Sequence, residues 1–181
     1  MSLRSWFERG QRGALTATLA HVPELLETIM PFLGQALNPL AVDEASKEMA
    51  ILRASVLQGC GYCLQNHTVA ALDSGLSPQQ VRALRGEAPM AEAFPAPAHQ
   101  ALIGWVEAVA GGVGPVPDAP MAALAMHFEP HQVVELTLCV SATLMINRYC
   151  TALALPVSDR CRQRLRQEGF AKNESTGQVR P

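Results

Sequence analysis

Apolar residues recur along most of this chain at intervals of three and four, and no stretch alternates apolar with polar as a half-buried strand does. The pattern therefore predicts helices. Residues 1–12 are polar and weakly patterned, a loose start or a short helix. Short helices are expected over 14–20 and 23–35, the second opened by Pro23 in its first turn. Asn38 and Pro39 mark a turn. Asp43 can then cap a helix running to about Gln58, with Met49, Leu52, Val56 and Leu57 near helical spacing and Glu48, Leu52 and Ser55 on one face. Gly59 can end that helix in a left-handed conformation. Cys60 begins the next, which runs to Ser74 and is closed by Gly75. Ser77 and Pro78, a cap and a first-turn proline, open a helix to about Arg85. Residues 86–97 read as a Pro- and Ala-rich loop, 98–110 as a helix with Leu102, Val106 and Val109 on one face, 111–117 as a loop and 118–128 as a short helix. Pro130 opens a last long helix to about Leu155, ended by Pro156. A basic helix over 159–170 follows, and 171–181 reads as a disordered tail. The expectation is one all-α domain over 1–170.

The helix from Pro130 is apolar almost all round, which places it centrally in a core or against a partner subunit. Composition agrees with a bundle. Of 181 residues 49% are hydrophobic and only 5% aromatic, and a chain this long can bury a core without staples. A net charge of −2 gives no basic patch, so no nucleic-acid partner is expected. The longest apolar run, 133–146, is interrupted by Glu135 and falls short of the roughly 20 residues that a membrane span needs. Residues 14–20 are too short and too broken by Thr16 and Thr18 for a signal peptide. The reading is a soluble, cytoplasmic protein without a membrane partner. Five cysteines at irregular spacing are no secreted disulfide framework. A shift of 87 residues places Glu135 on Glu48, Leu144 on Leu57, Tyr149 on Tyr62 and Cys150 on Cys63, but Asn147 on Cys60 and Ala154 on His67. Duplication of a helix pair and chance both fit that pattern.

The chemistry concentrates between residues 48 and 67. Cys60 and Cys63 form a C-x-x-C pair, His67 follows Cys63 by four residues, and Glu48 precedes Cys60 by twelve. A thiol attacks well only as thiolate. The pair stands at a predicted helix N-terminus, where backbone N–H groups and the dipole favour negative charge. His67 and Cys63 share a helical face with Cβ atoms roughly 5–6 Å apart, so the imidazole can take the thiol proton. Glu48, on the preceding helix, can act through His67 or a water. His67 lies about 10.5 Å along the helix from Cys60, so it serves Cys63 better and makes Cys63 the attacking thiol. The same rise argues against zinc, since one ion cannot easily reach both Cys60 and His67, and no second ligand pair follows at suitable spacing. Two buried core cysteines remain the plain alternative. His21, His99, His127 and His131 read as surface or cap residues. Cys139, Cys150 and Cys161 read as thiols without a role, Tyr62 as packing beside the site, and Trp6, Trp105 and the methionines as core or interface.

Glu48, Cys60, Cys63 and His67 in the arrangement Glu-x₁₁-Cys-x₂-Cys-x₃-His resemble the motif of the AhpD-like alkylhydroperoxidases, within the carboxymuconolactone decarboxylase superfamily. Leu52-Arg53-Ala54-Ser55 and Ala70-Ala71 agree on the flanks, and Glu135-Leu136 with Asn147-Arg148 looks like the superfamily's second helical motif. The resemblance spans about 20–157. It implies an all-α fold assembled as homotrimers or homohexamers, and a peroxidase and disulfide-reductase activity that uses no cofactor. Its implied partners are a hydroperoxide substrate and a lipoyl- or thioredoxin-like dithiol reductant. Carried over by motif, Cys63 becomes the sulfenic acid, Cys60 is proton donor and resolving thiol, and His67 with Glu48 forms the proton relay. The best-known member has histidine where this chain has Tyr62, and the Cys-x-Tyr-Cys form resembles the uncharacterised peroxidase-related branch. The decarboxylase branch lacks the cysteine pair, so lactone decarboxylation is not implied. A dithiol redox partner with little peroxidase turnover, and a non-catalytic helical oligomer that keeps the cysteines, are the competing readings.

Overall fold

In the computed structural model, residues 13–170 are described, and among them every regular element is helical. Ten helices follow in order: α1 Ala14–Leu19, α2 Pro23–Leu37, α3 Glu44–Leu57, α4 Gly61–Asp73, α5 Pro78–Leu84, α6 Met90–Ala93, α7 Pro97–Gly111, α8 Asp118–Ala125, α9 Pro130–Ala152 and α10 Asp159–Gln167. The expected helix ends are set by the expected residues. The Asp43 carboxylate accepts the Ser46 N–H at 2.9 Å. Ser77 and Gln80 close a reciprocal capping box at the start of α5. Gly59 takes φ +62° and Gly75 φ +95°, the left-handed conformation that a side chain resists.

Two expectations need correction. The 86–97 segment is not all loop: α6 forms inside it after Pro89 and presses Ala93 and Phe94 into the core. The last long helix stops at Ala152 rather than near Leu155. Ala154 then turns left-handed at φ +49°, so the break comes before Pro156. Residues 1–12, with Trp6, and the expected tail over 171–181 lie outside the described residues.

Helix α3 is central. It packs against α4, α7 and α9, and it buries Met49, Ala50, Ile51, Leu52 and Ala54. At 23 residues α9 is long and apolar enough to cross a membrane by length and composition. Here it lies against α2, α3, α4 and α7 and buries one side through Val133, Leu136, Val140 and Ile146. Val134, Leu138 and Met145 stay exposed on its other side.

The α3–α9 contact also holds ions. Lys47 is 1% exposed; its ammonium sits 2.9 Å from the Glu135 carboxylate and donates to the Ala36 carbonyl at 2.9 Å. Glu135 in turn accepts the backbone N–H groups of Leu40, Ala41 and Val42. Burial alone would raise the Glu135 pKa, but Lys47 and these N–H groups outweigh it and hold it below the usual carboxylate range. Glu135 therefore fixes the segment that leads into α3. It does not sit beside the thiols as its match to Glu48 suggests. Residues 135–152 also form one unbroken helix, whereas the stretch they mirror breaks at Gly59, so no second helix pair is present.

Candidate active site

The site lies where α3 hands over to α4. The Gln58 and Gly59 N–H groups close the end of α3, and the Cys60 N–H turns back to the Ser55 carbonyl at 3.1 Å. This sharp reversal brings Cys60 to the N-cap of α4, where its sulfur accepts the Cys63 N–H at 3.4 Å. Ser55 secures the turn from beneath: its hydroxyl donates to the Ile51 carbonyl at 2.8 Å and lies 3.1 Å from the Asn147 side-chain oxygen. The Asn147 side-chain N–H group, buried one turn before Cys150, has no partner among the described residues.

Reversal of the chain also stacks α4 on α3, the pairing that brings Glu48 to His67. The imidazole Nδ1 lies 2.9 Å from Glu48 Oε2. Both side chains are partly exposed, at 25% for His67 and 13% for Glu48. The expected bond between His67 and the Cys63 thiol is absent among the described residues. Helical spacing places the two on one face, but the ring turns its Nδ1 to Glu48.

Both cysteines of the pair are buried, Cys60 to 1% and Cys63 to 4% exposure, and both are free thiols. They share an apolar cluster with Leu33 and Ala36 of α2 and with Ala142, Ile146 and Cys150 of α9. Ala14 and Leu15 of α1 pack on the same cluster. Tyr62 touches it too, and the Leu15 backbone N–H is hydrogen-bonded to its hydroxyl, so Tyr62 fastens α1 over the thiols.

Cys150 is the residue that sequence reasoning missed. It was expected to be a thiol without a role, yet it lies within hydrogen-bonding reach of both Cys60 and Cys63. The 87-residue shift that aligned it with Cys63 was the only signal for it. The Thr151 hydroxyl reaches Cys60 as well. These donors set the electrostatics. The thiols of Cys150 and Cys63, the Cys63 N–H and the Thr151 hydroxyl all favour a thiolate on Cys60 and outweigh its burial, so the Cys60 pKa falls far below the ordinary thiol value. Cys63 and Cys150 move up instead: Cys63 through its hydrogen bonds with Cys150 and Cys60 and then its burial, Cys150 through its hydrogen bond with Cys60 and its burial. These directions favour a thiolate on Cys60, whereas helical spacing from His67 favours one on Cys63.

The remaining candidates stand apart. Cys139 is buried on α9 beside Thr143, and burial pushes its thiol up to about 12. Cys161 faces the Gln65 carbonyl at 3.5 Å. His21, His127 and His131 are exposed, and His99 meets the Phe94 ring edge-on. Trp105 and Met49 belong to the core, while Met30, Met121, Met126 and Met145 are exposed. Among the described residues no group of three His, Cys, Asp or Glu side chains is placed to hold a metal ion.

Residues 23–111, which span α2 to α7, match the family model described as the carboxymuconolactone decarboxylase family. No curated protein sequence matches the chain significantly. Among solved structures, a protein of unknown function from Agrobacterium tumefaciens, proposed to be an antioxidant-defence AhpD, superposes with a TM-score of 0.68 at 26% identity, over 78% of this chain and 97% of that one. An uncharacterized peroxidase-related protein from Silicibacter sp. TM1040 gives 0.74 at 17% identity, over 81% of this chain and 77% of that one. The debrominase Bmp8 gives 0.65 at 16% identity, over 84% and 81%. The matched segment contains Glu48, Cys60, Cys63 and His67, and the likenesses extend beyond it to most of the fold: residues 23–111 belong to the carboxymuconolactone decarboxylase family, and the fold is AhpD-like.

Proposed function

We propose that the protein is a thiol-dependent peroxidase that reduces hydroperoxides through Cys60 and Cys63, with a dithiol of lipoyl or thioredoxin type as reductant. The observation that carries the reading is the thiolate-stabilising position of Cys60 at the N-cap of α4, one turn from Cys63. A charge on Cys60 has no value to a packing residue; it has value to a group that exchanges protons with its neighbour.

The steps follow from the proton positions. Cys63 passes its proton to the Cys60 thiolate and attacks the terminal peroxide oxygen. The O–O bond breaks, Cys63 becomes the sulfenic acid, and the leaving alkoxide takes the proton back from Cys60 to give the alcohol. Cys60, again a thiolate, attacks the Cys63 sulfur; the S–S bond forms and hydroxide leaves. That hydroxide needs a proton, and the Glu48–His67 pair is the donor at hand, acting through water because His67 does not touch the thiols. The sum is one peroxide reduced to alcohol and water and one dithiol oxidised to a disulfide. An external dithiol then restores the pair, in keeping with a reducing, cytoplasmic setting.

The test is a stopped-flow titration of reduced protein with several hydroperoxides. Peroxide should remove two thiols per chain, and a dithiol should restore them. Thiols that persist at excess peroxide would refute the reading. We further propose that the chain assembles as a trimer or hexamer, with the exposed Val134, Leu138 and Met145 face of α9 at the contact.

A further inference from the structure

We propose that Cys150 is a third redox thiol of this site, placed to form a disulfide with Cys63 when Cys60 is engaged or missing. The inference rests on the redox reading of the pair and extends it to a residue on another helix. Three observations carry it. Cys150 is buried in the same apolar cluster as Cys60 and Cys63. Its thiol is within hydrogen-bonding reach of both sulfurs. The other two cysteines outside the motif are directed elsewhere, Cys139 toward Thr143 and Cys161 toward Gln65. A disulfide needs its sulfurs about 2.05 Å apart, so a rotamer change with a small helix shift separates a hydrogen-bonded thiol pair from a covalent one.

The surroundings also give an order of events. In the reduced protein the Cys60 thiolate next door keeps Cys150 protonated, its pKa pushed up to about 12, and a protonated thiol does not attack. Oxidation removes that charge. Once Cys60 is tied into the Cys60–Cys63 disulfide, its charge no longer faces Cys150, and the Cys150 proton comes off more easily. Cys150 can then attack the Cys63 sulfur: the Cys63–Cys150 bond forms, the Cys60–Cys63 bond breaks, and the Cys150 proton goes to the departing Cys60. This exchange is neutral in electrons. It regenerates Cys60 without reductant. Where Cys60 is missing, as in Cys60→Ser, no thiolate holds Cys150 protonated, and the same attack on the sulfenic acid forms the Cys63–Cys150 bond directly and releases water, with oxygen leaving Cys63 before a second peroxide can carry it to sulfinic acid.

Diamide tests the arrangement because it makes disulfides without peroxide chemistry. Cys60→Ser protein, oxidised with diamide, quenched in acid, alkylated and mapped by mass spectrometry, should lose two of its four thiols to a Cys63–Cys150 link, while Cys139 and Cys161 stay free. Recovery of Cys150 as a free thiol in the folded variant would overturn the proposal. If Cys60→Ser does not fold, oxidised wild type equilibrated in a mixed thiol–disulfide buffer decides. A measurable fraction of Cys150-containing disulfide beside Cys60–Cys63 is expected, and Cys150 found only free overturns the idea. Hydroperoxide consumption is read separately. A Cys63–Cys150 link in a protein that ignores peroxides would refute the peroxidase reading and leave the third thiol standing; peroxide turnover with Cys150 always free would do the reverse.

Discussion

The site's charge is the most exposed part of the mechanism, and one substitution tests it. Cys60→Ser removes the sulfur on which the donors converge. These are the Cys63 N–H at 3.4 Å, the thiols of Cys63 and Cys150, and the Thr151 hydroxyl. A hydrogen bond to a charged group is worth roughly 1.5–3 kcal/mol, and one pKa unit corresponds to about 1.4 kcal/mol. Each donor therefore lowers the pKa by about one to two units. The helix N-terminus adds about 0.3–1 kcal/mol in the same direction. Burial opposes them, but several donors against one desolvation leave Cys60 well below neutrality. An ordinary thiol of pKa about 8.5 is only about 3% ionised at pH 7, so wild type should carry close to one extra thiolate per chain there. Ultraviolet thiolate absorbance reads it without requiring a reagent to enter a buried site. Wild type should titrate in two stages, one below pH 7 and one above about 8.5. Cys60→Ser should lose the first stage. Cys63→Ser should keep it, because a serine hydroxyl donates to Cys60 as the thiol does. Thr151→Val should shift it upward by about one unit, the worth of one donor. If the low stage survives in Cys60→Ser and vanishes in Cys63→Ser, the charge rests on Cys63 and the order of proton transfers given above is wrong.

Three further outcomes are expected. His67→Ala should leave the first oxidation of Cys63 nearly intact but lengthen the life of its sulfenic acid, by about 10²-fold as lost proton donation commonly does; Glu48→Gln should do the same to a smaller extent, and dimedone trapping with time-resolved mass spectrometry distinguishes this from unchanged disulfide formation. Glu135→Ala should cost about 3–5 kcal/mol in urea unfolding, because it strands the buried Lys47 charge. Since the folded pKa of Glu135 is lowered, its contribution is full above the unfolded carboxylate value and is lost as pH falls through the folded one; wild type should therefore converge on the variant in acid, and a gap that is constant with pH would contradict this. Analytical ultracentrifugation should find wild type as a trimer or hexamer at micromolar concentration and Leu138→Lys shifted toward smaller species; a stable wild-type monomer would refute the assembly.

Local rules made most of the fold legible. Asp43, Gly59, Gly75 and Ser77 each act within four residues of their own position, so the sequence carries the whole cause of the helix ends they set. The break at Ala154 was hidden because alanine ordinarily avoids positive φ. Only the surrounding packing of Leu153 and Leu155 against the thiol cluster accounts for the turn there. α6 was hidden for a related reason, since Pro89 and Pro95 suggest a loop while the burial of Phe94 rewards one helical turn between them.

The site divides along the same line. Glu48, Cys60, Cys63 and His67 were legible because a spacing along two consecutive helices nearly dictates which side chains meet once Gly59 folds one onto the other. The direction of proton flow was not, since it depends on what arrives from α9, 87 and 88 residues beyond Cys63. Spacing within α4 assigned His67 to Cys63. The fold gives His67 to Glu48 at 2.9 Å and surrounds Cys60 with donors from Cys150 and Thr151. An i,i+4 relation brings two side chains within reach of each other, but it does not fix where the imidazole points, and here its Nδ1 is turned to the Glu48 carboxylate. Motif spacing therefore names the residues that stand together at the candidate site. Which of them holds the proton depends in the proposed mechanism on a contact between distant helices, the one through Cys150.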